Sequence, residues 1–114
     1  MYTKLAKMLS VVQGTDQFSA AVTMQGANCV QCDCVLAALA SGATSLTITV
    51  QESNDGENWT DVANGSSAIS AVGYSTVKLP TSGNIASAWV RLKYSTAGSG
   101  GKSIFSAGLN TAMV

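Results

Sequence analysis

The sequence predicts an all-β protein, an antiparallel β-sandwich of about seven or eight short strands, on three observations. In residues 44–62, Leu46, Ile48 and Val50 alternate with polar residues, which is the period-two pattern of a half-buried strand. Residues 88–95 repeat this alternation near the C-terminus. Glycine- and asparagine-rich turn signals recur at short spacing through the 114 residues, as they do in sandwiches. A single β domain is therefore expected.

The first fourteen residues are compatible with two secondary structures. Leu5, Met8, Leu9 and Val12 recur at helical spacing, which favours a short helix. Isolated short helices are marginally stable and the neighbouring sequence is β-like, which favours an extended arm or edge strand ending at Gly14. We predict an N-terminal arm over residues 1–14 and one sandwich domain over residues 15–114.

The strand that follows this arm is weakly patterned, whereas later ones are clearer. Residues 17–24 alternate loosely and residues 29–40 predict a strand with a helix-compatible tail, LAALA. Residues 64–67 predict a loop, and residues 68–79 contain two β-like runs around Gly73. The glycine-rich residues 97–101 predict a hairpin loop between strands 88–95 and 102–109.

The turn that follows the first clear strand has a strong local signal. Asn54, Asp55 and Gly56 stand between the strand and Trp59, and Asp-Gly supplies the left-handed backbone of a tight hairpin. These three residues are predicted to close the hairpin.

Trp89, Arg91 and Lys93 are the candidate contact residues. If Val90 and its alternating apolar neighbours face the core, these three side chains line the outer face of the same strand. Tryptophan and arginine are enriched at the energetic centres of interfaces, which favours a contact surface. The reversed register, in which Trp89 belongs to the core, stays an open alternative at this point.

Composition favours a protein that works against partners. Hydrophobic residues make up 46% and charged residues only 11% of the chain, with six basic and six acidic side chains. A surface with so little charge is poorly suited to an isolated protein, so we expect partners to cover part of it. The zero net charge argues against nucleic acid, and no apolar stretch is long enough for a bilayer. The N-terminus is a poor signal peptide, so synthesis in a cytoplasm is expected.

No enzyme chemistry is indicated. Histidine is absent, which removes the commonest general base and the commonest metal ligand together. The acidic residues around the 53–58 turn are typical of a solvated loop and do not match the spacing of a helical calcium hand. We therefore expect a protein that is not an enzyme and has no cofactor.

Cys29, Cys32 and Cys34 form the one cluster of metal-ligand type. Three thiols without histidine leave a tetrahedral zinc or iron–sulfur site incomplete, so metal binding at these residues is the less favoured interpretation. Small buried hydrophobic residues in a reducing compartment are favoured. The odd number leaves an intermolecular disulfide open as well.

Two segments carry a resemblance to a known class of proteins. LTITVQESNDGENWTDV and AWVRLKYSTAGSGGKSIFSAGLN, within the C-terminal two thirds, resemble the small capsid decoration or cement proteins of tailed bacteriophages. The resemblance implies a jelly-roll-like β-sandwich that sits as a dimer or trimer on the outer capsid surface. It implies a structural virion protein, made in the host cytoplasm, whose partner is the major capsid protein. The cysteines lie outside this resemblance.

For such a protein we predict two contact regions. One is the Trp89, Arg91 and Lys93 face, and the other is the N-terminal arm with Tyr2, Lys4 and Leu5. An extended arm can act as a clamp by adding a strand to a neighbour.

The turn also admits a different function. The S-N-D-G-x-x-W motif resembles the corresponding turn of discoidin-type carbohydrate- or lipid-binding sandwiches, for which Tyr74 and Trp59 are the candidate stacking residues. A tail or head-fibre role for the same sandwich is a further alternative.

Overall fold

Nine β-strands make up the regular structure in the computed structural model, which describes residues 2–39, 45–96 and 101–113. The strands are β1 (Tyr2–Val12), β2 (Asp16–Phe18), β3 (Val22–Thr23), β4 (Cys29–Ala38), β5 (Leu46–Ser53), β6 (Thr60–Ile69), β7 (Gly73–Leu79), β8 (Trp89–Thr96) and β9 (Lys102–Ala112). No helix long and apolar enough to cross a membrane occurs within these ranges.

The strands form two antiparallel sheets. Sheet A has the order β1-β9-β4-β7, and sheet B has the order β2-β8-β5-β6, with β3 pairing beside β2 on the same strand β8. Among the described strands, only β5 and β6 are consecutive strands that pair as a hairpin. The connections β1–β2, β3–β4, β4–β5, β6–β7, β7–β8 and β8–β9 each join a strand of one sheet to a strand of the other. The predicted all-β antiparallel sandwich is confirmed.

The core lies between the sheets and follows the predicted alternation. Inward-facing residues of β5, β8, β4 and β9 are almost fully inaccessible, among them Ile48, Leu92, Leu36 and Leu109. The two sheets meet at Tyr94 and Phe105, whose ring centroids lie 4.7 Å apart in an edge-to-face arrangement. Burial of this apolar surface drives the sheets together.

The N-terminal segment is the edge strand of sheet A. It pairs with β9 from Tyr2 opposite Asn110 to Val12 opposite Lys102. The helical alternative is therefore wrong: the helical spacing of its apolar residues coincides with two register shifts in the β1 ladder, which let side chains leave strict alternation. The residues predicted as an arm therefore form a strand that pairs with β9 of the same molecule.

Two loop predictions are wrong. Residues 64–67 lie inside β6, where positions 62–65 bulge between Asp61 and Ser66 opposite the single residue Val50. The left-handed backbone of Asn64, with φ of 60°, and the close packing of Gly65 on Val62 produced the loop-like composition. The predicted 88–95/102–109 hairpin is also wrong, because β8 and β9 lie in different sheets. Residues 97–100 of its loop lie outside the described part.

Candidate functional site

The register of β8 places Trp89 outside the core. Val90, Leu92 and Tyr94 have no accessible surface, whereas Trp89 is 38% exposed on the opposite face. Arg91 and Lys93 follow it on this outer face of sheet B and are partly exposed.

Arg91 is held between two aromatic rings. Its Cζ atom lies 4.3 Å from the ring centroid of Phe18 and 4.5 Å from that of Trp59. The guanidinium Nε donates a hydrogen bond of 2.8 Å to Oε1 of Gln51 on the neighbouring strand. A planar cation that contacts two rings and donates a hydrogen bond has lost most of its rotational freedom, so the position of Arg91 is fixed before any partner arrives.

A polar chain continues from Arg91 across sheet B. Gln51 Nε2 donates to Oδ1 of Asp61 at 2.8 Å, and Lys93 Nζ lies 3.2 Å from Oδ2 of the same carboxylate. The hydrogen bond from Gln51, followed by the contact with Lys93, lowers the pKa of Asp61 below its ordinary value. Asp61 therefore stays ionised and connects Gln51 to Lys93.

These side chains cover the middle of the outer sheet face. Thr49, Gln51 and Ser53 point outward from β5, yet each is at most 8% exposed. Thr49 Oγ1 and Ser66 Oγ, on neighbouring strands of this face, share a hydrogen bond of 2.9 Å. We call the outward group the aromatic–arginine face; it consists of Phe18, Trp59, Trp89, Arg91 and Lys93.

Of these five residues, the sequence predicts only the three on β8 as members of one contact face. Phe18 lies on the three-residue strand β2, which pairs with β8 and so brings the ring to Arg91. Trp59 lies just before β6, in the connection that leaves β5, the other neighbour of β8, and so also reaches Arg91. The only sequence signal for Trp59 was its place in the S-N-D-G-x-x-W turn motif, which does not indicate a contact with β8.

The turn residues lie together at one end of this face. Asp55 accepts hydrogen bonds from the backbone N–H groups of Glu57 and Asn58, both at 2.8 Å, and from Ser53 Oγ. Gly56 adopts a φ of 77°, which favours glycine. The backbone hydrogen bonds from Asn58 and Glu57 hold the pKa of Asp55 far below its ordinary value.

Asn54 connects this turn to the segment before β8. Its Oδ1 atom accepts the backbone N–H of Ala88 at 3.2 Å, and Glu52 Oε1 accepts the hydroxyl of Ser87 at 2.7 Å. The turn is thereby fixed to the start of the strand that carries Trp89.

The two predicted contact regions are not brought together. Tyr2, Lys4 and Leu5 belong to sheet A, whereas the aromatic–arginine face belongs to sheet B. Tyr2 and Lys4 are exposed, and Leu5 packs partly against the core. The Tyr2 hydroxyl passes over Gly108 of β9 and donates to Oδ1 of Asp33 on β4 at 3.0 Å, which fixes the start of β1.

The cysteines are buried. Cys32 and Cys34 face the core from β4, each 2% exposed, and Cys29 is equally buried with its Sγ atom 3.5 Å from the carbonyl oxygen of Ala112. Desolvation, and then the charge of Asp33, raises the pKa of Cys32 to about 12 and that of Cys34 to about 11. Protonated thiols are weak metal ligands, and among the described residues no cluster of three or more metal-ligating side chains occurs.

A shallow depression lies on the outer face of sheet A. It measures about 260 Å³ and is lined by Tyr2, Gln31, Asp33, Tyr74, Thr76 and Asn110. Both tyrosines are more than half exposed, and the residues between them carry amide, carboxylate and hydroxyl groups. Such a mixture can stack on and hydrogen-bond a polar ring.

Comparisons with known proteins identify no family for this chain. No family model matches the chain, and no curated protein matches it in sequence.

Proposed function

We propose that this protein is a structural virion protein that binds the outer surface of an assembled phage capsid and stabilises it, with the major capsid protein as partner. The observation that carries the proposal is the aromatic–arginine face. It offers three partly exposed aromatic rings and two cations on the outer face of one sheet, a composition typical of interface hot spots.

The order within this face favours tight contact. Arg91 is already stacked and hydrogen-bonded, so little side-chain entropy remains to be lost on binding. Lys93 is likewise paired with Asp61. A surface fixed in this way discriminates one arrangement of capsid subunits from another. Because the protein binds assembled subunits and not free ones, its binding shifts the equilibrium between free and assembled capsid subunits toward assembly.

The strand order supports the resemblance to capsid decoration proteins. We propose that the sandwich is a jelly roll. If β2 and β3 are counted as one interrupted strand, the sheet orders 1-9-4-7 and 2-8-5-6 correspond to two interlocked Greek keys. All other connections except β5–β6 cross between the sheets, as they do in a jelly roll. Jelly rolls are common in viral capsid proteins. A homo-oligomer on a repeating lattice would gain from many weak contacts.

The proposal is tested by co-sedimentation with shells assembled from the major capsid protein of the same genome. Saturable binding to shells, with none to unassembled subunits, is expected. Equal binding to free subunits, or no binding to either, would contradict it. Binding to purified tails instead would favour the tail or head-fibre alternative.

Trp89→Ala should weaken shell binding about tenfold to a hundredfold, because truncation of an interface tryptophan commonly costs this much affinity. The melting temperature should change little, since Trp89 lies outside the core. Val12→Ala, at a side chain that is also 38% exposed and lies at the end of β1 in sheet A, is the matched control and should bind normally. Loss of the folded state in Trp89→Ala would show that the tryptophan has a structural role.

A second candidate function, carbohydrate binding, is favoured by the depression between Tyr2 and Tyr74. Two exposed rings flank side chains that can pair with vicinal hydroxyls. A glycan array with the unmodified protein tests this function, and Asp33→Asn should abolish any signal that depends on the depression. Absence of binding to every glycan class removes this candidate.

A further inference from the structure

The two sheets have four edges, and three of them carry features that prevent another strand from pairing. β1 has two register shifts, and Lys4 and Lys7 lie along it. Met8 at its centre has a left-handed φ of 48°. Bulges and lysines are the usual means by which natural edge strands avoid pairing with other chains.

The edges of sheet B are protected differently. On one side, β2 and β3 have only three and two residues and are separated by residues 19–21. On the other side, β6 contains the 62–65 bulge, and the carbonyl oxygen of Asn64 within it accepts the backbone N–H of Thr81 at 2.9 Å. Very short strands, bulges and covering loops all block strand addition.

The β7 edge of sheet A lacks these features. All seven residues from Gly73 to Leu79 pair with β4 in unbroken register, opposite Leu36 to Val30. Lys78 is its only charged residue, and the proline that follows, Pro80, lies after the strand. Within the described residues, no strand pairs with the outer side of β7. Gly73 at the start of β7 has a φ of 126°, but the strand from Tyr74 to Leu79 keeps a regular register and its outer side is open.

Exposed apolar side chains gather at the same edge. Val72 is 64% exposed and Tyr74 is 67% exposed, and Val35, which is paired with Tyr74, is 46% exposed. Beside them, a cleft of about 240 Å³ opens between β6 and β7 and reaches the inward-facing side chains of Cys32 and Ile48. An open edge with an apolar margin is a surface that a protein normally covers.

We propose that β7 pairs with β7 of a second copy of this chain, antiparallel across a two-fold axis at Thr76, so that two A sheets join into one sheet of eight strands. The sequence of β7 is complementary to itself in this register. Thr76 stands opposite the partner's Thr76, and Tyr74 stands opposite the partner's Lys78, twice by symmetry.

The pairs in this register are favourable. Opposed threonines and an aromatic opposite a long cation both stabilise antiparallel strands, and the lysine ammonium can lie over the tyrosine ring. On the inner face, the partner's Val77 stands opposite Ser75, which lines the cleft, and so covers its mouth. The zero net charge of the chain leaves little long-range repulsion between copies.

The dimer specifies the homo-oligomer expected for the proposed function, but it concerns the free protein and requires no capsid. It also leaves the aromatic–arginine face of each copy uncovered, since that face belongs to sheet B. A dimer would therefore present two such faces, which raises the avidity for a repeating lattice. Failure of capsid binding and failure of dimerisation are separate outcomes.

Light scattering on the unmodified protein between about 1 μM and 1 mM is the first measurement, a range that spans weak to moderate association. We expect the mass to approach twice that of the chain. A monomer throughout the range, or a trimer, would overturn the proposal.

Cysteine cross-linking tests the register. Thr76→Cys places two thiols directly opposite each other at a Cα separation compatible with a disulfide, so a covalent dimer should form under mild oxidation. Tyr74→Cys faces the partner's Lys78 and should cross-link far less. Lys7→Cys on the β1 edge is an exposed control and should also remain monomeric on a non-reducing gel. Equal cross-linking of all three variants would refute the register.

Charge reversal tests the pairing without oxidation. Tyr74→Lys places a lysine opposite the partner's Lys78, twice by symmetry, and the two like-charge pairs should raise the dimer dissociation constant roughly tenfold or more. Adding Lys78→Glu to this variant creates two Lys–Glu pairs and should restore the dimer. Both positions are exposed, so the fold is retained. An unaffected dimer in Tyr74→Lys, or no rescue in the double variant, would contradict the proposed pairing.

Discussion

Arg91 illustrates how one side chain organises a surface. Its contact with both Phe18 and Trp59 depends on a planar guanidinium, and its hydrogen bond to Gln51 depends on Nε, so lysine retains the charge but loses the planar stacking and the Nε donor. We expect Arg91→Lys to reduce the free energy of unfolding by about 1–2 kcal/mol. Urea unfolding followed by tryptophan fluorescence measures the change. Lys93→Arg, which keeps the pair with Asp61, should stay within about 0.5 kcal/mol of wild type. An unchanged midpoint for Arg91→Lys would show that the stack contributes nothing to stability.

Asp55 makes the stability of the turn depend on pH. Its pKa is lowered in the folded state by the backbone hydrogen bonds from Asn58 and Glu57, so the unfolded chain binds the proton first as the pH falls. The stabilising contribution is complete well above pH 4 and is lost progressively as the pH falls below about 4, the ordinary aspartate pKa.

Asp55→Asn tests this dependence. The asparagine Oδ1 can still accept the same backbone N–H groups, whereas the ionisable carboxylate is gone. The variant should lose less stability than wild type between pH 5 and pH 2, as measured by thermal melts monitored by circular dichroism. A melt at pH 7 confirms that the variant is folded. Identical acid sensitivity in the two proteins would exclude Asp55 as a source.

At the level of elements, β1 is integral to the sandwich. Deleting residues 2–10 removes the partner of β9 and uncovers core residues that Ala6 and the half-buried Leu9 cover. We expect a loss of more than about 3 kcal/mol in unfolding free energy, comparable with the largest core substitutions. Tyr2→Phe, which keeps the strand but loses the hydrogen bond to Asp33, should cost about 0.5–1.5 kcal/mol. A truncated protein with an unchanged melting temperature would restore the interpretation of β1 as a detachable arm.

Local sequence patterns predicted where the strands lie and which residues they bury better than they predicted which strands pair. The alternation around Ile48 and Leu92 fixed which residues face the core, because period-two burial is a local property. Local composition misled at Asn64 and Gly65, where a bulge inside β6 has the residues of a loop. The stack of Phe18 and Trp59 on Arg91 was beyond prediction, since it depends on which strands are neighbours, and the cross-sheet connections separate them along the chain.

At the scale of the whole molecule, one core joins the two sheets, and we expect them to unfold together. The chain has two tryptophans, Trp59 and Trp89, and both lie on the outer side of sheet B, so fluorescence reports that sheet. Far-ultraviolet circular dichroism reports both sheets. Because Tyr94 of sheet B packs on Phe105 of sheet A, the two signals should give coincident urea transitions. Phe105→Leu, a change in sheet A alone, should destabilise the protein by about 1–2 kcal/mol and shift both transitions equally. A shift of the circular dichroism transition without the fluorescence transition would mean that the sheets are separate cooperative units.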